Sequence, residues 1–205
     1  MSRKPIILAL LSALSIAMAG CGVVENGRAP ANVRIDELVA SSGAGSLAYG
    51  GYLHSDVLTL VKVNNVDTPT VFNDVGRVTF SLSLKDAGSP GINNVPSEQN
   101  TIQMTHYRVV YRRTDGRNVQ GVDVPYAFDS GMTVLVPATG SGQQSFDIVR
   151  VSAKHEAPLL ALAVNGQTLD VIADVTFYGK DLQNNNVAVT ASIGITFGNY
   201  GDSSN

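Results

Sequence analysis

The chain has 205 residues, a single Cys, no Trp, and 14 basic against 17 acidic residues, a formal charge of −3. One Cys excludes a disulfide scaffold and a thiolate metal cluster. The mild acidity argues against nucleic-acid binding, which wants a basic face.

The N-terminus reads as a three-part export signal. Arg3 and Lys4 supply positive charge, Pro5 to Met18 is apolar, and the small residues Ala19 and Gly20 follow. An apolar run of 14 residues is too short for a permanent span, which needs about 20. Met18-Ala19-Gly20-Cys21 resembles the lipobox of bacterial lipoproteins, with Met18 where that pattern has Leu, Val or Ile. The resemblance implies cleavage before Cys21 and lipidation of its sulfur, which also removes a thiol that would be exposed to oxidation. The alternative is an ordinary secreted protein cut after Ala19. Gly22 follows the Cys, where an Asp would resemble an inner-membrane retention signal. The expected location is therefore the cell envelope, and the outer membrane rather than the inner if the cell has two. Removal of residues 1–20 takes away Arg3 and Lys4 and no acid, leaving 12 basic and 17 acidic residues in a chain with a formal charge of −5.

Residues 21–32 read as the lipidated Cys and a flexible tether, with Gly22, Gly27 and Pro30 and no apolar periodicity. Val33 to Ile35 and Val57 to Val63 read as strands, and residues 33–66 as a possible addition to a sandwich formed by residues 67–205. In that sandwich Val78, Phe80, Leu82 and Leu84 alternate with polar residues, as do Tyr107, Val109 and Tyr111. Met132, Val134 and Val136 make a shorter strand. Val171 to Phe177 and Val187 to Phe197 give the longest alternations. Around Phe146, Ile148, Val149 and Val151 the alternation slips by one residue, which a β-bulge would accommodate. Ala157 to Val164 is the one stretch that suits a short helix. The fold class is all-β: an antiparallel sandwich with a core that includes Phe80, Val109, Phe146, Val175, Phe177, Ile193 and Ile195.

Ala173 to Asp181 with Asn186 to Thr190, together with Val122 to Tyr126, resembles envelope lipoproteins that carry an immunoglobulin-like or fibronectin-III-like domain. The antibody-type Cys–Trp–Cys signature is absent, since the chain has no Trp. The resemblance implies a fold and no activity.

Candidate chemistry is sparse. Gly43-Ala44-Gly45-Ser46-Leu47-Ala48 matches a loose dinucleotide loop, but Tyr49-Gly50-Gly51-Tyr52 cannot open the helix such a loop needs; a flexible loop is the better reading. His54, His106 and His155 are the only histidines, none at helical spacing with another and none beside a nucleophile elbow. Asn64-Asn65-Val66-Asp67, Asn73-Asp74 and Asp181 with Asn184 to Asn186 gather oxygens, without the ordered spacing of a calcium loop. Arg108, Arg112, Arg113 and Arg117 with Tyr107 and Tyr111 form the most basic stretch, read as a solvated sheet face. The sequence thus favours no catalytic residue, no cofactor and no metal. The expected function is a non-catalytic interaction or structural module, with the membrane, through its lipid, and an envelope protein or surface ligand as partners. The alternatives are an accessory subunit of an envelope transport, secretion or electron-transfer assembly, and an enzyme with an unrecognised site.

Overall fold

A computed structural model describes residues 26–45, 48–86 and 88–200, with backbone only at Ile92 and Asn93. Cys21 and the export signal lie outside the described residues.

The alternation seen in the sequence becomes two sheets. One holds β1 (Ala31–Ser41), β5 (Asp74–Leu84) and β10 (Gly142–Val149) in the order β1-β5-β10, all antiparallel. The other holds β2 (Tyr52–Asp56), β8 (Ile102–Arg112), β9 (Phe128–Val136), β11 (Leu169–Asp181) and β12 (Asn186–Gly198), ordered β2-β12-β11-β8-β9. Its one parallel pairing is β2 with β12. The fold is all-β. Two small hairpins stand outside these sheets: β3 (Thr59–Val63) with β4 (Val66–Thr70), and β6 (Gly88–Ser89) with β7 (Ile92–Asn93). The β3–β4 turn is Asn64-Asn65, both at positive φ (52° and 65°). A two-residue hairpin turn of this hand needs φ > 0 at both positions, which Asn tolerates better than other non-glycine residues.

The sheets meet through aromatic rings. Phe80 of β5 meets Phe177 of β11 edge-on at 5.1 Å, and Phe146 of β10 meets Phe177 at 5.3 Å and Tyr107 of β8 at 4.9 Å. These are the offset and edge-to-face arrangements that aromatic quadrupoles prefer. All seven residues expected in the core are buried, Phe80, Val109, Val175, Phe177 and Ile195 completely.

Three expectations need adjustment. Residues 33–66, read as a possible addition, supply a strand to each sheet: β1 pairs with β5 from Ala31–Leu84 to Ser41–Val75, and β2 pairs with the last strand, while β3 stands outside both. The strand read from Val57 to Val63 starts later: β2 ends at Asp56, Val57 and Leu58 connect, and β3 begins at Thr59. The tether read as ending at Asn32 ends earlier: β1 begins at Ala31, and Asn26 is already hydrogen-bonded to Asn186 and Ala188.

The bulge expected near Phe146 is present, as a register shift between Asp147 and Val149. Val151 is not its continuation, however, but the first residue of helix α1 (Val151–Lys154). Its N–H is taken by the Asn73 side chain at 2.7 Å, a cap supplied from another part of the chain. A second helix, α2 (Leu159–Asn165), matches the expected helical stretch.

Phe177 is the ring that three elements share. Phe177→Ala should destabilise the domain by about 3–5 kcal/mol, the range for buried aromatic truncation. Urea unfolding followed by circular dichroism measures this, and a variant as stable as the parent would contradict the described core.

Candidate functional site

The most deeply buried ion pair among the described residues was not singled out as a pair by the sequence. Lys154, the last residue of α1, and Asp74, the first of β5, form an ion pair of 2.9 Å with both side chains fully buried. The ammonium also donates to the Asp56 carbonyl at 2.7 Å. The carboxylate accepts from the Ser55 hydroxyl at 2.5 Å and from the Gly43 amide at 3.1 Å. Burial pushes the Asp74 carboxyl up, against the lowering effects of the Lys154 charge and of the Ser55, Lys154 and Gly43 hydrogen bonds. An ion pair this deep is tolerated only when remaining donors and acceptors are satisfied, and here the loop at Gly43 and the end of β2 supply the partners. Asp56 extends the group: its carboxylate accepts from Thr59 Oγ1 at 2.9 Å and from the backbone N–H groups of Leu58 and Tyr200.

This cluster explains two sequence features differently from their first reading. Asp74 belongs to an oxygen-rich pair of residues, but it answers a lysine rather than a cation from solution. Gly43 opens the glycine-rich stretch read as a flexible loop. A Cβ there would lie 1.9 Å from the Asn73 carbonyl oxygen, so glycine is needed for close approach and for the hydrogen bond to Asp74. Ser46 and Leu47 of that stretch lie outside the described residues.

The other candidates are dispersed. His54 on β2 packs between Tyr52 and Tyr200, at 5.3 and 5.9 Å. His106 on β8 stacks on Tyr178 at 4.7 Å beside a shallow groove of about 190 Å³. His155 follows the end of α1. Among the described residues no group of three or more His, Cys, Asp or Glu is placed to hold a metal ion. The Asx loops have local roles: Asn64-Asn65 forms the hairpin turn, and Asp181 accepts from the Gln183 and Asn185 amides and the Asn185 side chain within its own turn.

The arginines of the basic stretch are each paired with a carboxylate, Arg108, Arg112 and Arg117 at the surface. Arg108 pairs with Asp129 at 2.9 Å and Arg112 with Asp174 at 2.6 Å, while Arg113 and Arg117 share Asp115. Arg113 and Arg117 hold the Asp115 carboxyl well below the usual carboxylate range. Tyr107 and Tyr111 point the other way and donate to the Asp147 and Ile148 carbonyls at 3.0 and 2.6 Å, stitching β8 to β10.

What remains is a surface. The connections that follow β2, β8 and β10 leave the sandwich at one end, the end where β12 finishes. That end displays Val63 and Val66 at the tip of the β3–β4 hairpin, Val119 and Val122 before β9, and Leu160 and Val164 on α2, all exposed. The ion pair lies beneath it and ties β2, β5, α1 and the loop at Gly43 together. No family model matches the chain, and neither curated proteins nor solved structures yield a significant match.

Lys154→Met should cost about 3–5 kcal/mol at pH 7, because it leaves a buried carboxylate without its counter-charge. The deficit should shrink in acid. Without the ammonium, Asp74 in the folded state titrates above its ordinary value of 3.8. A raised folded-state pKa contributes stability that is fully present below the unfolded pKa and lost as pH rises through the folded one. Urea unfolding at pH 4 and pH 7 checks this: equal deficits at the two values would contradict it, and Lys154→Met with Asp74→Leu should regain much of the loss at pH 7.

Proposed function

We propose that the protein is a lipid-anchored component of the cell envelope, held by Cys21 and working by contact rather than catalysis. The anchor rests on Met18-Ala19-Gly20-Cys21 and on Cys21 being the single Cys of the chain. More than one acyl chain gives stable membrane attachment, and Gly22 at the position after the Cys favours the outer membrane. A lipid anchor would be the membrane link of a domain in which no described helix is long and apolar enough to cross a bilayer.

We read the sandwich as immunoglobulin-like. Its strand order supports this: with β1 and β2 as two halves of a first strand A, one sheet runs A, B and E (β1, β5 and β10), and in the other the second half of A lies beside G, F and C (β12, β11 and β8). Such folds host many functions, so the working surface must be argued from this chain. The observation that carries the contact reading is the concentration of exposed apolar side chains at one end, on the β3–β4 hairpin, the connection before β9 and α2, beside a buried ion pair. Loops on rigid sheets are the usual place for recognition, and confinement to a membrane raises the effective concentration of an envelope partner so that a weak contact suffices.

Cys21→Ala should move the protein from the membrane fraction to the soluble one, or leave it as a precursor of higher mass. Unchanged partition and mass would overturn the anchor. For the contact reading, the domain purified without residues 1–21 should keep its melting temperature after treatment with a chelator. A large loss restored by calcium would reveal a structural metal.

A further inference from the structure

The end of the sandwich opposite the apolar loops is where the N-terminal segment attaches. Asn26 accepts from the Ala188 amide at 2.9 Å and donates to the Ala188 carbonyl at 2.8 Å, and its own amide donates to the Asn186 carbonyl. Lys85 adds a hydrogen bond from its ammonium to the Asn26 carbonyl. Asn26 is therefore fastened to the start of β12, beside the turn that joins β11 to β12.

Five residue steps separate Asn26 from Cys21, and fully extended they span at most about 18 Å. The headgroup layer on each side of a bilayer is itself roughly 5–8 Å thick. A lipid on Cys21 thus leaves little free height between this end of the domain and the membrane.

The same end carries features suited to that position. The β11–β12 turn projects beyond the Asn26 attachment, and its Leu182 is 61% exposed at the tip. Val95, in the connection from β7 to β8, is 80% exposed. Both belong to the connections at this end, since Ile102 of β8 pairs with Asp181 and Leu84 of β5 with Ala31. Arg28, Lys85 and Lys180 are exposed here, against the exposed carboxylates of Asp86 and Glu98; Asp181 is buried in its turn. The outer face of the five-stranded sheet is less suited to lipid, with Arg108–Asp129 and Arg112–Asp174 ion pairs and a Thr176–Thr190 hydrogen bond.

We propose that this end is a phospholipid-binding surface, in which Leu182 and Val95 enter the headgroup layer and Arg28, Lys85 and Lys180 face lipid phosphates. The domain then stands upright on the membrane. The 13 residues of β12, at about 3.3 Å each, hold the opposite end roughly 40 Å away. The inference rests on the lipid-anchor reading and deepens it: the lipid brings the protein to the membrane, and this surface fixes which end faces out.

The absence of Trp gives a direct test. Leu182→Trp, Val95→Trp and Val164→Trp are each made in the full chain, and the mature proteins purified from the expressing cells are placed on vesicles of phosphatidylethanolamine and phosphatidylglycerol containing a phosphatidylcholine brominated on its acyl chains. Flotation is measured first, then fluorescence. The expected result is flotation of all three, with strong loss of emission at 182 and 95 and full emission at 164, which is 88% exposed at the far end in the parent. Flotation without quenching at 182 and 95, or with equal quenching at 164, would overturn the surface while leaving the anchor intact. Failure to float would overturn the anchor and the surface together.

Discussion

The Lys154–Asp74 ion pair is the constraint on which the arrangement of one end of this molecule depends. Two opposite charges have been taken fully out of water at 2.9 Å, and the free energy lost in desolvating them is offset only while their other partners stay in place. Those partners are the Ser55 hydroxyl, the Gly43 amide and the Asp56 carbonyl. The pair therefore couples the loop after β1, the end of β2, the start of β5 and the helix after β10. Held together, they become a rigid base for the exposed loops around them.

The rest of the fold needs no such device. The sheets are joined by apolar burial and by the rings of Phe80, Phe146, Tyr107 and Phe177. Tyr107 and Tyr111 contribute packing on one side of the ring and a backbone hydrogen bond at the hydroxyl, so a buried polar atom does not go unmatched. Burial pushes both hydroxyls up, Tyr111 most strongly. The molecule thus divides its physics: an apolar centre that sets stability, and a polar clamp at one end that sets the position of loops.

This division also explains what could be read from the sequence. Phe177 and Ile193 were legible because a strand buried on one face repeats every two residues, a local signal. The bulge at Asp147–Val149 was legible for the same reason, as a slip in that repeat. Val151 was misread because what removes it from the strand is a cap from Asn73, 78 positions away. Lys154 and Asp74 are 80 positions apart, and each looks like an ordinary surface residue in its own neighbourhood. Gly43 looked flexible because a glycine needed for close backbone approach has the same letter as one needed for freedom. The proposed surfaces at the two ends share this limit: Leu182 and Val95 are unremarkable in sequence and acquire a common place only through the pairing of β8, β11 and β12.

Native-state hydrogen exchange on the Lys154→Met variant tests the central claim most directly. If the pair is a clamp on one end, amides at Gly43 and Leu53 to Leu58 and in α1 and α2 should exchange faster than in the parent by a larger factor than those in the middle of β11 and β12, once the global loss of stability is subtracted. A uniform acceleration across all strands, or no change in those segments, would show that the pair does not hold that end of the sandwich in place.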